Sequence, residues 1–136
     1  MMQFLLVAAG GALGAMARYG LGLTVGRLAP GAGWPQSWPW ATFAANISGG
    51  LLMGLLAGWL ALKAGAGQES LRLFAAVGVL GGFTTFSAFS LEAALMIERR
   101  ELATAFVYAV GSVVLAIAAL FVGLMIARKL FTGVGA

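Results

Sequence analysis

The sequence predicts an all-α membrane protein: four transmembrane helices per subunit, the third broken at mid-membrane, with subunits paired as an antiparallel, dual-topology homodimer. Three observations lead there. The 136 residues are 62% hydrophobic and only 9% charged, whereas soluble domains run at roughly 45–50% apolar and about 25% charged. Mean hydropathy is +1.01. The apolar residues gather into four stretches, each reaching the ~20 residues needed to cross hydrocarbon as a helix. Finally, the basic residues divide evenly between the two sides that four spans define. The length fits one domain, residues 1–136.

The first span covers about residues 3–26, interrupted by Arg18. Its "AAGGALGAMA" has the small residues of a signal cleavage site. Residues 1–17 hold no Lys or Arg, so the positive leader region is missing and an uncleaved helix is expected. Gly10 and Gly14, then Gly22 and Gly26, stand four apart, a spacing that lets helix backbones approach closely.

The second span covers residues 39–62. The loop before it carries Pro30, Gly31, Gly33 and Pro35. Trp34, Trp38 and Trp40 cluster there, as an interfacial aromatic belt would. Gly50, Gly54 and Gly58 repeat the small-residue spacing. Thr42, Asn46 and Ser48 are polar, and Asn46 falls ~10 Å inside the helix start at 1.5 Å per residue. Its amide offers two donors and an acceptor, for helix pairing or for an anion.

The third span covers residues 71–95, and its middle reads "GGFTTFSAF" from Gly81 to Phe89. Two glycines followed by β-branched threonines disfavour continuous helix. A break at that depth frees backbone groups, which is tolerated only in protein or along a cavity. The competing reading is an unbroken helix whose glycines serve close packing. Phe86 and Phe89 share a face. Phenylalanine in a membrane helix ordinarily faces lipid or core, but ring edges carry partial positive charge and can meet an anion. Glu92 lies one turn from the span's end, where a solvated position at a mouth is expected.

The fourth span covers residues 102–127. Thr104, Tyr108 and Ser112 stand at i, i+4 and i+8, on one face. They form either a shared hydroxyl stripe or separate groups bonded back to their own helix.

Histidine, cysteine and aspartate are absent. Thiol chemistry, histidine metal sites and the usual hydrolytic constellations therefore drop out, and no enzyme is expected. The net charge of +4 comes from eight Lys and Arg against four acidic residues. These charges cluster at span ends, so they read as membrane flanks and not as a nucleic-acid surface. No basic residue lies near the centre of any predicted span. Lys63, Arg72, Arg128 and Lys129 fall on the side of the termini, and Arg18, Arg27, Arg99 and Arg100 on the other. Four against four gives the positive-inside rule nothing to choose, which favours insertion in both orientations; the competing reading is that Arg18, inside a span, does not count and blurs the balance. Pairing of opposed copies would give a two-fold axis in the membrane plane.

Three motifs carry a family resemblance: "GGALGAMARY" at Gly10–Tyr19, "PWATFAANISGGLLMG" at Pro39–Gly54, and "GGFTTFSAF" with the following "SLE" at Gly81–Glu92. The chain resembles the CrcB/Fluc fluoride channels over essentially its whole length. The resemblance implies a multi-pass protein of the bacterial inner membrane that exports fluoride passively, as an antiparallel homodimer with two pores. It implies pore roles for Asn46, Phe86, Phe89, Thr85, Ser87, Tyr108 and Ser112, and a vestibule role for Arg18, with Glu92 near the mouth. It implies that the carbonyls of Gly81 and Thr84 hold a structural sodium ion, Na+, at the dimer interface. Two positions depart from the family pattern. Ala88 stands where a second hydroxyl is usual, and Ala41 where glycine is usual.

Two alternatives remain at this stage. A small dual-topology multidrug exporter would need an acidic residue in the first span, which has none. A nonconducting structural subunit would have no reason to place hydroxyls, Asn and Phe at matching depths.

Overall fold

A computed structural model describes residues 1–28, 38–62 and 68–132. Pro30, Gly31, Gly33, Trp34, Pro35 and Lys63 lie outside the described residues. The elements are α1 (Met2–Leu28), α2 (Trp40–Leu62), α3 (Gln68–Leu71), a π-helical stretch (Arg72–Leu80), α4 (Gly81–Phe83), α5 (Phe86–Glu98) and α6 (Leu102–Thr132). Four helical runs are long and apolar enough to cross a membrane: Met2–Leu28, Trp40–Leu62, Gln68–Glu98 and Leu102–Phe131. Each extends the predicted span at one end or both, except that α2 starts one residue later.

The third run is broken, but not at its glycines. Gly81 and Gly82 are helical, in α4. The interruption is two residues long. Thr84 has φ −81° and ψ 158°, and Thr85 has φ −152° and ψ 125°. Both angles are extended, the region that β-branched residues favour. Ahead of the break the helix is wide: the Gly81 amide reaches back five residues to the Ala76 carbonyl.

The glycines serve backbone approach instead. A Cβ built on Gly14 would stand 2.8 Å from the Phe83 amide nitrogen, and one on Gly10 would stand 3.0 Å from the Gly78 Cα. A Cβ on Gly82 would stand 2.5 Å from the Gly11 carbonyl oxygen. Thus α1 lies directly on the π-helical stretch and α4. A second seam joins α2 to α6. There Cβ atoms on Gly50 and Gly58 would stand 2.6 Å from the Ala116 carbonyl oxygen and 2.5 Å from the Ala127 Cβ. A Cβ on Gly54 would collide with the Leu120 carbonyl. The repeats at Gly10/Gly14 and Gly50/Gly54/Gly58 therefore pack within the subunit. Among the described residues, a Cβ on Gly22 would meet only the Ala41 Cβ, at 3.8 Å, and one on Gly26 would meet nothing within 4 Å.

A tight turn joins α5 to α6. Arg100 takes φ 61°, a left-handed conformation uncommon outside glycine and asparagine. The Glu101 amide bonds the Met96 carbonyl at 2.9 Å and the Arg100 amide bonds the Ile97 carbonyl at 2.9 Å, closing the end of α5.

At this end of the bundle Trp38 is buried, not belted at the interface. It packs with Met96, Ala105 and Tyr108, and its ring centroid lies 5.5 Å from those of Phe43 and Tyr108. The indole turns inward because Tyr108 and Phe43 offer their ring faces and edges there.

Gly54→Leu should force α2 and α6 apart. Overpacking of this kind costs about 1–3 kcal/mol or more, read as a lower unfolding temperature in detergent. Gly26→Ala, whose Cβ meets none of the described residues within 4 Å, should leave that temperature unchanged or raise it slightly.

Candidate functional site

The break places its released groups beside α2. Asn46 projects from α2 at the level of Thr85. Its Nδ2 donates to the Thr85 carbonyl at 3.2 Å, and its Oδ1 accepts from the Thr85 amide at 3.0 Å. One side-chain amide thus stands in for a stretch of helix ladder. Thr85 also caps α5, its Oγ1 accepting from the Ala88 amide at 3.2 Å. Ser and Thr are favoured at such caps because the first helical amides lack carbonyl partners. The preceding turn is closed by Thr84, whose amide and Oγ1 both donate to the Leu80 carbonyl, at 3.0 and 2.9 Å.

An open cleft of about 350 Å³ lies at this level. Asn46, Thr84, Thr85, Phe86, Phe89 and Ser112 line it together with small and aliphatic residues of α2 and α6. Ser112 is buried, and its Oγ has no hydrogen-bond partner among the described residues. A buried hydroxyl left so is costly unless a partner arrives from the cleft. The rings of Phe86 and Phe89 stand 5.6 Å apart at 39°. Phe86 is 78% exposed, so its ring is open to whatever enters or covers the cleft.

A second polar group sits behind Phe89, whose ring lies 5.2 Å from that of Tyr108. Tyr108 is fully buried, and its hydroxyl donates to Glu92 Oε2 at 2.6 Å. Thr42 Oγ1 donates to Glu92 Oε1 at 2.7 Å. Glu92 is therefore held at both oxygens inside the bundle; it is not a freely solvated residue at a mouth. Its distance along the sequence from the span's end was misleading because α5 runs on to Glu98 and buries Met96 below it. Thr42 had no assigned role in the sequence; its position four residues before Asn46, on one face of α2, was the available signal.

Arg18 is turned toward the third span. α1 runs from Met2 to Leu28, so Arg18 lies close to its middle. Its Nε donates to the Gly82 carbonyl at 3.3 Å. The side chain is not among the residues that line the cleft. Ser87 is exposed, with its Oγ 3.3 Å from Thr85 Oγ1. Ser48 and Ser90 bond back to their own helices.

The donor set bears on a cation as well. In an unbroken helix the Thr85 and Ala88 amides would close on the carbonyls of Gly81 and Thr84. Both amides are diverted, the first to Asn46 and the second to the Thr85 hydroxyl. Gly81 and Thr84 are thereby deprived of their ordinary helical donors, and hard carbonyl oxygens of this kind suit an alkali cation. Among the described residues no cluster of His, Cys, Asp or Glu could hold a metal ion.

The family profile described as "CrcB-like protein, Camphor Resistance (CrcB)" matches residues 5–124. The chain is 63% identical over 132 residues to a protein of Phenylobacterium zucineum (strain HLK1) named "Fluoride-specific ion channel FluC", covering 96% of this chain and 99% of that one. It is 58% identical over 132 residues to a protein of the same name from Caulobacter sp. (strain K31), covering 97% and 99%. A third protein of that name, from Hyphomonas neptunium (strain ATCC 15444), is 56% identical over 131 residues, covering 96% and 99%.

Tyr108→Phe removes one of the two donors to Glu92 and leaves a half-buried carboxylate oxygen unpaired. A loss of about 1–3 kcal/mol of stability is expected, measured as the shift of the unfolding midpoint in detergent.

Proposed function

Because the chain belongs to the CrcB-like family, we propose that it is a fluoride-selective channel, which lets the ion leave the bacterial cytoplasm passively and so lowers its toxicity. The protein is a multi-pass component of the inner membrane. One observation supports the reading above all: the cleft at the break gathers an Asn amide, hydroxyls and two phenyl rings, with no basic side chain among the described residues of its lining. Fluoride is small and strongly hydrated. Conduction requires donors that replace water, yet none strong enough to hold the ion. Amide N–H, hydroxyl and ring edge are such donors, and Ser112 keeps a buried hydroxyl uncommitted.

On this reading Phe86 and Phe89 present ring edges to the ion, and Asn46, Thr85, Ser87, Tyr108 and Ser112 supply polar groups along its path. Arg18 favours the anion from behind the broken helix, and Glu92 orders Tyr108 and Thr42. A second, oppositely inserted copy would cover the cleft and the exposed Phe86. The Gly81 and Thr84 carbonyls of both copies would then share a sodium ion, whose role is to tie the two breaks together. The freed carbonyls support this arrangement, and the basic flanks, four against three with Arg18 set inside its helix, give only a weak orientation preference.

The multidrug-exporter alternative has no support. α1 carries no acidic residue to couple protons, and both oxygens of Glu92 are engaged by neutral donors.

Purified protein in liposomes should release fluoride, read by a fluoride electrode, and retain chloride. Absence of fluoride release from folded protein would overturn the assignment. Phe86→Ile keeps bulk but removes the ring edge, and flux should fall roughly threefold to tenfold, the rate equivalent of one aromatic edge contact. Impermeant labels directed at an engineered C-terminal cysteine should react from both sides of the cell membrane; one-sided labelling would exclude dual topology.

A further inference from the structure

We propose that Asn46 is a positioning residue: it holds the third helix open at Thr84–Thr85 and thereby sets the carbonyls of Gly81 and Thr84. Its effect on ions would run through the backbone rather than through its own contact with them. The consequence for a cation rests on the carbonyl-cradle reading above; the geometry at the break does not.

Three observations carry the proposal. First, both functional ends of the amide are spent on one residue: Oδ1 accepts from the Thr85 amide at 3.0 Å, and Nδ2 donates to the Thr85 carbonyl at 3.2 Å. Only one N–H of Asn46 remains for anything in the cleft. Second, the Thr85 amide is the group that would otherwise close on the Gly81 carbonyl and restore the helix. By accepting it, Asn46 competes directly with helix formation at that point. With Thr85 held extended, its hydroxyl reaches the Ala88 amide at 3.2 Å. That contact removes the ordinary donor from the Thr84 carbonyl, so the cap depends on the clamp.

Third, two neighbouring carbonyls have partners of their own, which do not depend on Asn46. Leu80 keeps its helical donor, the Thr84 amide, at 3.0 Å. Gly82 receives Arg18 Nε at 3.3 Å. The two carbonyls released by the Asn46 clamp and the cap it permits are thus Gly81 and Thr84, which bracket Gly82 and Phe83. α2 is fixed against α6 by Gly50 and Gly54, so Asn46 acts from a rigid support.

The test uses the full-length protein in detergent with ¹³C-carbonyl glycine and threonine, comparing wild type with Asn46→Ala and Asn46→Asp. Spectra are taken in N-methylglucamine and then across a sodium titration. The Gly81 and Thr84 carbonyl resonances should move in Asn46→Ala even without sodium, while that of Gly123 on α6 stays. The sodium midpoint should weaken by about tenfold, the scale of one lost hydrogen bond of ordinary strength. Asn46→Asp still offers an oxygen to the Thr85 amide, so its Gly81 resonance should stay near the wild-type position. Unmoved Gly81 and Thr84 resonances in folded Asn46→Ala would overturn the proposal. So would an Asp variant that displaces Gly81 as far as Ala does; this comparison also serves if the Ala variant does not fold. If the wild type ignores sodium but its carbonyls move on Asn46→Ala, the positioning role stands and the cation reading falls.

Discussion

A helix can be interrupted inside hydrocarbon only if the backbone groups it releases find other partners, because no water is there to take them. This constraint organises the molecule around Thr84 and Thr85. Two amides freed at the break, those of Thr85 and Ala88, go to Asn46 and to the Thr85 hydroxyl, and one of the nearby carbonyls goes to Arg18. Each partner comes from a different place: α2, the break itself and α1. The break is therefore a junction of three helices, and the remaining packing can be read as what brings those helices close enough.

Close approach is where the glycines act. Side chains larger than hydrogen at Gly10, Gly14 or Gly82 would hold α1 off the third span and take Arg18 out of reach of the Gly82 carbonyl. Gly50 and Gly54 do the same for α2 and α6, placing Asn46 on one wall of the cleft and Ser112 on another. Between lipid-facing helices there is little hydrophobic driving force, so contact area gained by close backbone approach supplies the attraction. The aromatic cluster of Trp38, Phe43, Tyr108 and Phe89 then closes one end, with Glu92 accepting from the two hydroxyls that would otherwise be buried without partners.

The four helices and the polar positions Asn46, Tyr108 and Ser112 were legible in the sequence because hydropathy and depth along a helix are one-dimensional properties. The break was legible as a stretch from Gly81 to Thr85; its restriction to Thr84 and Thr85 was not. Glycine lowers helix propensity in water, and that reasoning extended the expected break from the threonines back to Gly81 and Gly82. In the membrane the same residues stay helical, since unsatisfied backbone is dearer there than glycine's lost entropy. Thr85 carried the better signal, as a hydroxyl residue able to cap the helix that follows. Glu92 and Trp38 were misplaced for a shared reason. Position along the span suggested solvent or headgroups, whereas their environment depends on partners, Thr42, Tyr108 and Phe43, from other helices. The π-helical stretch had no sequence signature beyond the glycines it packs.

Arg18 poses the sharpest electrostatic question, because a fixed cation at the depth of the break should trap a small anion. Its placement answers this. The guanidinium approaches from α1, and α1 contributes no residue to the cleft. Gly82, which it bonds, faces α1 through Gly11. The broken helix therefore stands between the charge and the cleft, so Arg18 can favour an anion through its field without becoming a ligand. A direct ligand of full charge would bind more tightly than several neutral donors combined, and would slow release by the same factor. Screening that charge with backbone leaves the uncharged groups, Ser112, the Phe edges and the spare N–H of Asn46, to set how long an ion stays.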